Sequence, residues 1–174
     1  MPSVEEQLEK AGLQVMGVCS DLASQSQHWR HEAALIEDLT SAEAQALGAL
    51  MPLVRAEPGQ VLIREGDLGD WMLLILSGTV DVTKATEHGE MSRLAVIKQG
   101  AAVGEMSMLD AAPRYATCTA IDTVEVGVLT RQCIAQLIRD HPAAGAKLLV
   151  KLTQLLAQRL RNTSNQLVRF IKKQ

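Results

Sequence analysis

Glu105 and Arg114 stand towards the two ends of the segment Ala102-Val103-Gly104-Glu105-Met106-Ser107-Met108-Leu109-Asp110-Ala111-Ala112-Pro113-Arg114-Tyr115-Ala116-Thr117. Each suits one half of a ribose phosphate. A carboxylate accepts hydrogen bonds from paired hydroxyls, and a guanidinium offers a planar fork of donors that matches a phosphate. Gly104 lets the backbone come close to a ligand. Glu105 to Leu109 is long enough for one helical turn, whose free N–H groups and positive dipole end favour an anion. The residues alone leave a second reading open, in which Glu105 and Arg114 close on each other as an internal ion pair.

Other chemistries find little support. The chain has no Ser-His-acid set, no metal-ligand spacing and no phosphate loop of the nucleoside triphosphatases, so an enzyme is not expected and no metal is expected. His28 and His31 are three residues apart and can share a helix face, but no third ligand accompanies them. Cys19, Cys118 and Cys133 are odd in number and widely spaced, which reads as reduced thiols and a cytoplasmic setting, with Cys118 and Cys133 as small core fillers. No long uncharged apolar run predicts a membrane span, and Met1-Pro2-Ser3-Val4-Glu5-Glu6 is not the start of a signal peptide.

The elements that must carry the segment follow from periodicity. The chain has 174 residues, of which 47% are hydrophobic, enough for one compact domain with a core. Residues 1–38 read as a helical or partly disordered lead-in, with Leu8, Leu13, Val15, Val18 and Leu22 at loose helical spacing and Gly12 and Gly17 weakening it. A firmer helix begins near Ser41, capped by Thr40-Ser41 with Glu43 following, and stops at Pro52. From Leu53 short apolar runs recur between glycine-containing turns: Val61–Ile63, Trp71–Leu76, Thr79–Thr83, Leu94–Ile97, Ala116–Ala120 and Val124–Leu129. Strands at that spacing predict a small antiparallel sandwich or barrel over residues 39–130.

Residues 131–174 return to helix. Arg131 to Arg139 makes a short one, and a long one runs from about Ala143 to Ile171, with Leu148, Leu149, Leu152, Leu155, Leu156, Leu160, Thr163, Leu167, Phe170 and Ile171 in one stripe. The stripe is longer than a small sandwich can cover, which makes 143–171 a candidate homodimer seam; the alternative packs it wholly on its own subunit. This stretch holds nine Lys or Arg and one acid, a net +8 that leaves −11 on the remainder. A solvated face complementing the acidic body and an acidic partner such as nucleic acid both account for it.

The segment Gly104-Glu105-Met106-Ser107-Met108-Leu109, followed by Arg114-Tyr115-Ala116-Thr117, resembles the phosphate-binding cassette of cyclic-nucleotide-binding domains. Pro58-Gly59-Gln60, Glu65-Gly66-Asp67 and Ser77-Gly78-Thr79-Val80 resemble the glycine-marked turns and strands of the same family, and the likeness runs from about Leu39 to Phe170. It implies an α+β, mainly β fold: an antiparallel β-roll (a jelly-roll-like double-stranded β-helix) with N-terminal helices and a long C-terminal dimerisation helix. It also implies roles. Glu105 would accept from the ribose 2′-hydroxyl, Arg114 would pair with the cyclic phosphate, and the backbone N–H groups of Met106, Ser107 and Tyr115 would complete the cradle beside Ala116. Tyr115 departs from the family's Ser or Ala, so a side-chain hydroxyl contact of the serine kind is lost and a bulky ring is placed at the pocket mouth.

Leu156-Ala157-Gln158-Arg159-Leu160-Arg161-Asn162-Thr163-Ser164 is similar to the dimerising helix of the Crp/Fnr group of bacterial regulators. There, adjacent Thr and Ser bond adenine, one from each subunit; Thr163 and Ser164 match them, and Arg159 matches an arginine near the ribose-binding glutamate. The hydroxyl of Thr163 has a second use, bonding the carbonyl one turn back. The resemblance implies cyclic AMP as the ligand, with cyclic GMP possible, and a sensor that relays occupancy through its last helix to an effector protein. The alternative is the effector-binding half of a transcription regulator. Only Lys172-Lys173-Gln174 follow Ile171, so DNA binding is not expected without a further domain.

Overall fold

A computed structural model describes residues 4–29 and 35–171. The elements are α1 (Val4–Lys10), β1 (Gln14–Val18), α2 (Leu22–Ser26), α3 (Ser41–Leu50), β2 (Pro52–Ala56), β3 (Val61–Ile63), β4 (Trp71–Ser77), β5 (Thr79–Ala85), β6 (Met91–Lys98), β7 (Ala102–Val103), α4 (Glu105–Asp110), β8 (Thr117–Ala120), β9 (Val124–Thr130), α5 (Arg131–Asp140) and α6 (Pro142–Ile171). Two antiparallel sheets form a roll, ordered β1-β2-β9-β4-β7 and β3-β8-β5-β6.

The unbroken apolar run of β4 is explained by its two neighbours. Trp71, Leu73 and Ile75 face the opposite sheet and join Ile63, Val80, Val82 and Val126 in one core. Met72, Leu74 and Leu76 face outward, where α2, α3, α5 and the first half of α6 cover them with Leu22, Leu47, Leu137, Leu148 and Leu152. A strand buried on both faces needs no polar alternation. The short cassette helix α4 belongs to this outer layer through Met108, which is fully buried there.

α3 starts where the sequence places it. The Thr40 hydroxyl accepts from the Glu43 backbone N–H at 3.2 Å, and the Glu43 carboxylate accepts from the Thr40 N–H at 2.8 Å. This reciprocal cap satisfies two donors that have no helical partner. The N-terminal lead-in differs from expectation. Residues 14–18 form a strand that pairs with β2, so the five-stranded sheet begins inside the stretch read as helical. Its glycines explain the difference: Gly12 (φ +72°) turns the chain out of α1, and Gly17 (φ +123°) sits where the β1–β2 register shifts. No helix among the described residues is long and apolar enough to cross a membrane.

α6 divides in two. Ala144, Leu148 and Leu152 are buried on the body, whereas Leu160, Leu167, Val168 and Ile171 are exposed. A helix of 30 residues extends about 45 Å at 1.5 Å per residue, so its second half has left the surface that seats the first. The reading in which α6 packs wholly on its own subunit does not hold for this half. Phe170's side chain lies outside the described residues.

The lead-in is joined to the body at Gly48. The Cys19 N–H donates to the Gly48 carbonyl at 3.1 Å, and a Cβ on Gly48 would stand 2.2 Å from the Cys19 carbonyl oxygen. An alanine in mid-helix gains about 1 kcal/mol in propensity, but this overlap is with backbone and cannot relax by a rotamer change. Gly48→Ala is therefore expected to lower the unfolding free energy by a net of about 1–3 kcal/mol, read as a lower urea midpoint with unchanged slope.

Candidate functional site

The cassette spans the seam between the sheets: β7 belongs to the five-stranded sheet and β8 to the four-stranded one, with α4 and the 111–116 loop between. Gly104 opens it with φ +86°. A Cβ there would meet Ile63 Cδ1 at 2.8 Å and Arg114 Nη1 at 3.0 Å, so only glycine lets the chain turn this close to both. The first intrahelical bond comes from the Met108 N–H to the Gly104 carbonyl at 3.4 Å. By helix geometry the amides of Met106 and Ser107 lie in the first turn, ahead of any intrahelical acceptor.

Glu105 and Arg114 are both buried, at 1% and 4% exposure. They do not form the internal ion pair that the residues alone left open. Arg114 donates from Nη1 to the Gly104 carbonyl at 2.9 Å, and its guanidinium lies 4.4 Å over the Trp71 ring. Its backbone is zipped to the Glu65-Gly66-Asp67 turn: the Arg114 N–H donates to the Asp67 carbonyl at 2.8 Å, and the Gly66 N–H donates to the Arg114 carbonyl at 2.9 Å. Burial pulls the guanidinium below its ordinary value, against the opposing pull of the acids around it. Glu105 pairs instead with Arg159 of α6, Nη1 to Oε1, while Arg159 Nη2 donates to the Ala102 carbonyl at 2.6 Å. One atom of each buried group has no partner: Glu105 Oε2 and Arg114 Nη2.

These side chains line a cavity of about 540 Å³. Of the residues singled out in the sequence, Gly104, Glu105, Met106, Ser107, Arg114, Tyr115, Ala116, Arg159 and Thr163 border it, and Ser164 does not. Thr163 and Ser164 are both exposed in the single chain, so Thr163 is not a buried hydroxyl in need of a partner. The apolar wall of Ile63, Val82, Leu94 and Ile97, and the amides Asn162 and Gln166, escaped the sequence reading. Asn162 and Gln166 flank Thr163 on α6, so the helix face that carries Thr163 was the available signal.

Tyr115 borders the cavity. Its ring is exposed and sits under the Lys84 ammonium, 4.2 Å from the centroid, while Lys84 Nζ also donates to the Tyr115 carbonyl at 2.8 Å and to Glu65 at 2.6 Å. The Lys84 hydrogen bond holds the Glu65 carboxyl below its ordinary value. The exit from α4 is strained: Ala111, its C-cap, adopts φ +59°, the one non-glycine in the left-handed region among the described residues. No group of three or more His, Cys, Asp or Glu among the described residues is arranged to hold a metal. His28 contacts the Ser24 carbonyl at 3.3 Å, and His31 lies outside the described residues. Part of the basic charge of the C-terminal stretch is answered by the body, Lys147 by Glu43 and Lys151 by Glu37, both at 2.7 Å.

A carboxylate, a guanidinium and a helix start around one cavity is the arrangement a ribose phosphate requires. The family profile described as "Cyclic nucleotide-binding domain" matches residues 53–141. The chain belongs to this family. A cyclic nucleotide-binding domain from Methylobacillus flagellatus is similar in structure, with a TM-score of 0.78, 33% identity and coverage of 90% of this chain and 88% of that one. The cAMP-dependent protein kinase regulatory subunit of Yarrowia lipolytica is 36% identical over 113 residues, covering 63% of this chain and 29% of the subunit. The CRP-like cAMP-activated global transcriptional regulator of Mycobacterium tuberculosis is 28% identical over 139 residues, covering 80% of this chain and 60% of the regulator. The chain thus spans less than two thirds of the length of either curated relative. The two antiparallel sheets, the cassette between them and the long last helix are the jelly-roll-like architecture expected of the family.

Cys118 also borders the cavity and is 1% exposed, and burial pushes its thiol up to about 12, as it does that of Cys19. A raised value keeps each protonated at pH 8, and the thiol form is a poor nucleophile. In the folded protein at pH 8 both should resist Ellman's reagent and react once urea unfolds the chain, with peptide mass mapping to assign the labelled sites.

Proposed function

We propose that this chain is a sensor that binds cyclic AMP in the cavity between roll and α6 and relays occupancy to a partner as a homodimer. The carrying observation is the pair of buried, unpartnered atoms on two side chains that line one cavity, Glu105 Oε2 and Arg114 Nη2. An orphaned acceptor and an orphaned cationic donor each carry a desolvation cost that a ligand can recover. A ribose 2′-hydroxyl donates to the first, and a cyclic phosphate oxygen accepts from the second and from the amides of Met106, Ser107 and Tyr115. Gly104 and Ala116 are small enough to leave the cradle open to a ligand.

The ribose then shares Glu105 with Arg159, so the ligand lies between the roll and α6. Occupancy biases α6 towards one position, a population shift that a partner reads. Thr163 offers a hydroxyl that both donates and accepts, suiting an adenine edge. Ser164 is exposed and does not border its own cavity, which suits a role in the site of a second copy. The exposed apolar side chains Leu160, Leu167 and Ile171 supply a seam for that copy. Binding rather than hydrolysis is the activity we assign. A second reading, the effector half of a larger transcription regulator, is favoured by the likeness to the M. tuberculosis regulator. A gel shift at two salt concentrations tests whether the basic last helix itself contacts DNA, since real DNA contacts weaken steeply with salt.

Isothermal titration with cyclic AMP and cyclic GMP tests the proposal directly; no heat and no thermal shift at millimolar ligand would end it. Arg114→Ala removes a charge-assisted contact of roughly 2–3 kcal/mol, so affinity for cyclic AMP is expected to fall about 30- to 150-fold. Thr163→Val is expected to lower the preference for cyclic AMP over cyclic GMP with folding nearly intact, and an unchanged ratio would remove Thr163 from base recognition.

A further inference from the structure

Arg114 borders two cavities. One is the candidate nucleotide site; the other, of about 940 Å³, lies between α1 and the roll and is lined by Gln7, Lys10, Arg64, Asp67 and Trp71. Trp71 joins the two sides. Its ring face carries the Arg114 guanidinium at 4.4 Å, and its Nε1–H donates to Gln7 Oε1 of α1 at 2.9 Å. Both ends of this chain of contacts are fixed. Trp71 is 5% exposed and opens β4 opposite Thr130 of β9, and Leu8 anchors α1 in the inter-sheet core with no exposed surface. The fit is tight: a Cβ on Gly69 would stand 2.5 Å from Arg114 Nη2, so only glycine leaves room for the guanidinium to lie there. A guanidinium held over an indole away from water is near the strong end of cation–π contacts.

We propose that Trp71 is the positioning residue for the phosphate-facing arginine and that, through Gln7, it couples the docking of α1 to occupancy of the nucleotide site. This rests on the cyclic-nucleotide reading of the cavity. Coupling of two binding equilibria is reciprocal. Whatever holds α1 down keeps Arg114 in place for the phosphate, and a bound phosphate, by fixing Arg114, holds Trp71 and α1. The N-terminal helix is thereby a second output of the site, on the side of Arg114 away from α6.

The test has two arms on the full chain. In a Trp29→Phe background Trp71 is the remaining indole. Without ligand, Arg114→Ala is expected to shift Trp71 emission and to raise amide exchange across Val4–Lys10 about five- to tenfold, part of the roughly thirtyfold that a desolvated cation–π contact is worth. With cyclic AMP, Trp71→Leu is expected to weaken binding about five- to tenfold, and Trp71→Phe, which keeps a ring face, to recover it to within about twofold. Gln7→Ala, at a residue outside the nucleotide cavity, is expected to weaken binding about two- to threefold. Unchanged α1 exchange in Arg114→Ala, or wild-type affinity in Trp71→Leu, overturns the coupling while leaving the nucleotide reading intact. A wild-type chain that takes up no cyclic AMP ends that reading and the occupancy half of the proposal with it; the ligand-free arm still decides whether Arg114 holds α1.

Discussion

The structure is organised around two opposite charges kept out of water at the seam between its sheets. A buried ion costs several kcal/mol unless neighbours answer it, and Glu105 and Arg114 are answered by different neighbours. Arg159 meets the carboxylate; the Gly104 carbonyl and the Trp71 ring meet the guanidinium. Had the two closed on each other, the site would be satisfied and inert. Because each leans on a separate part of the fold, one atom of each stays unmet, on two side chains that line one cavity.

The separate supports lie in different regions of the sequence. Glu105 is tied forward to α6 through Arg159, and Arg114 is tied back to α1 through Trp71 and Gln7. The turn Glu65-Gly66-Asp67, zipped to the Arg114 backbone, keeps the loop from drifting between them. A small ligand that satisfied both orphaned atoms would act on both ties at once.

The cassette was legible through its resemblance to the family's phosphate-binding segment, since Glu105 and Arg114 as residue types alone left an internal ion pair open. The roll was legible because turn glycines punctuate apolar runs. β1 was not, since Val15 and Val18 fit a helix face as well as a strand, and the glycines that weakened the helix are the turn and the register shift of a strand. Trp71 was invisible as an individual because it opens an unbroken apolar run, where every residue reads as core. Its polar edge matters only once Gln7, distant in sequence, is brought to it. Ala111's left-handed backbone carries no sequence mark at all, since alanine is an ordinary residue in an unusual conformation.

The double burial of β4 has a consequence for motion. A wall shared by two cores ties their stabilities together: stripping the outer helices would put Met72, Leu74 and Leu76 into water, on the same backbone that carries Leu73 and Ile75 for the inner core. The roll and its helical coat therefore melt as one cooperative unit. What lies outside that unit is chiefly α6 beyond Arg159, where half-buried side chains give way to the exposed stretch 160–169. Arg159 stands at that boundary, so the residue that touches the site is also the last hold of the body on the exposed length of the helix.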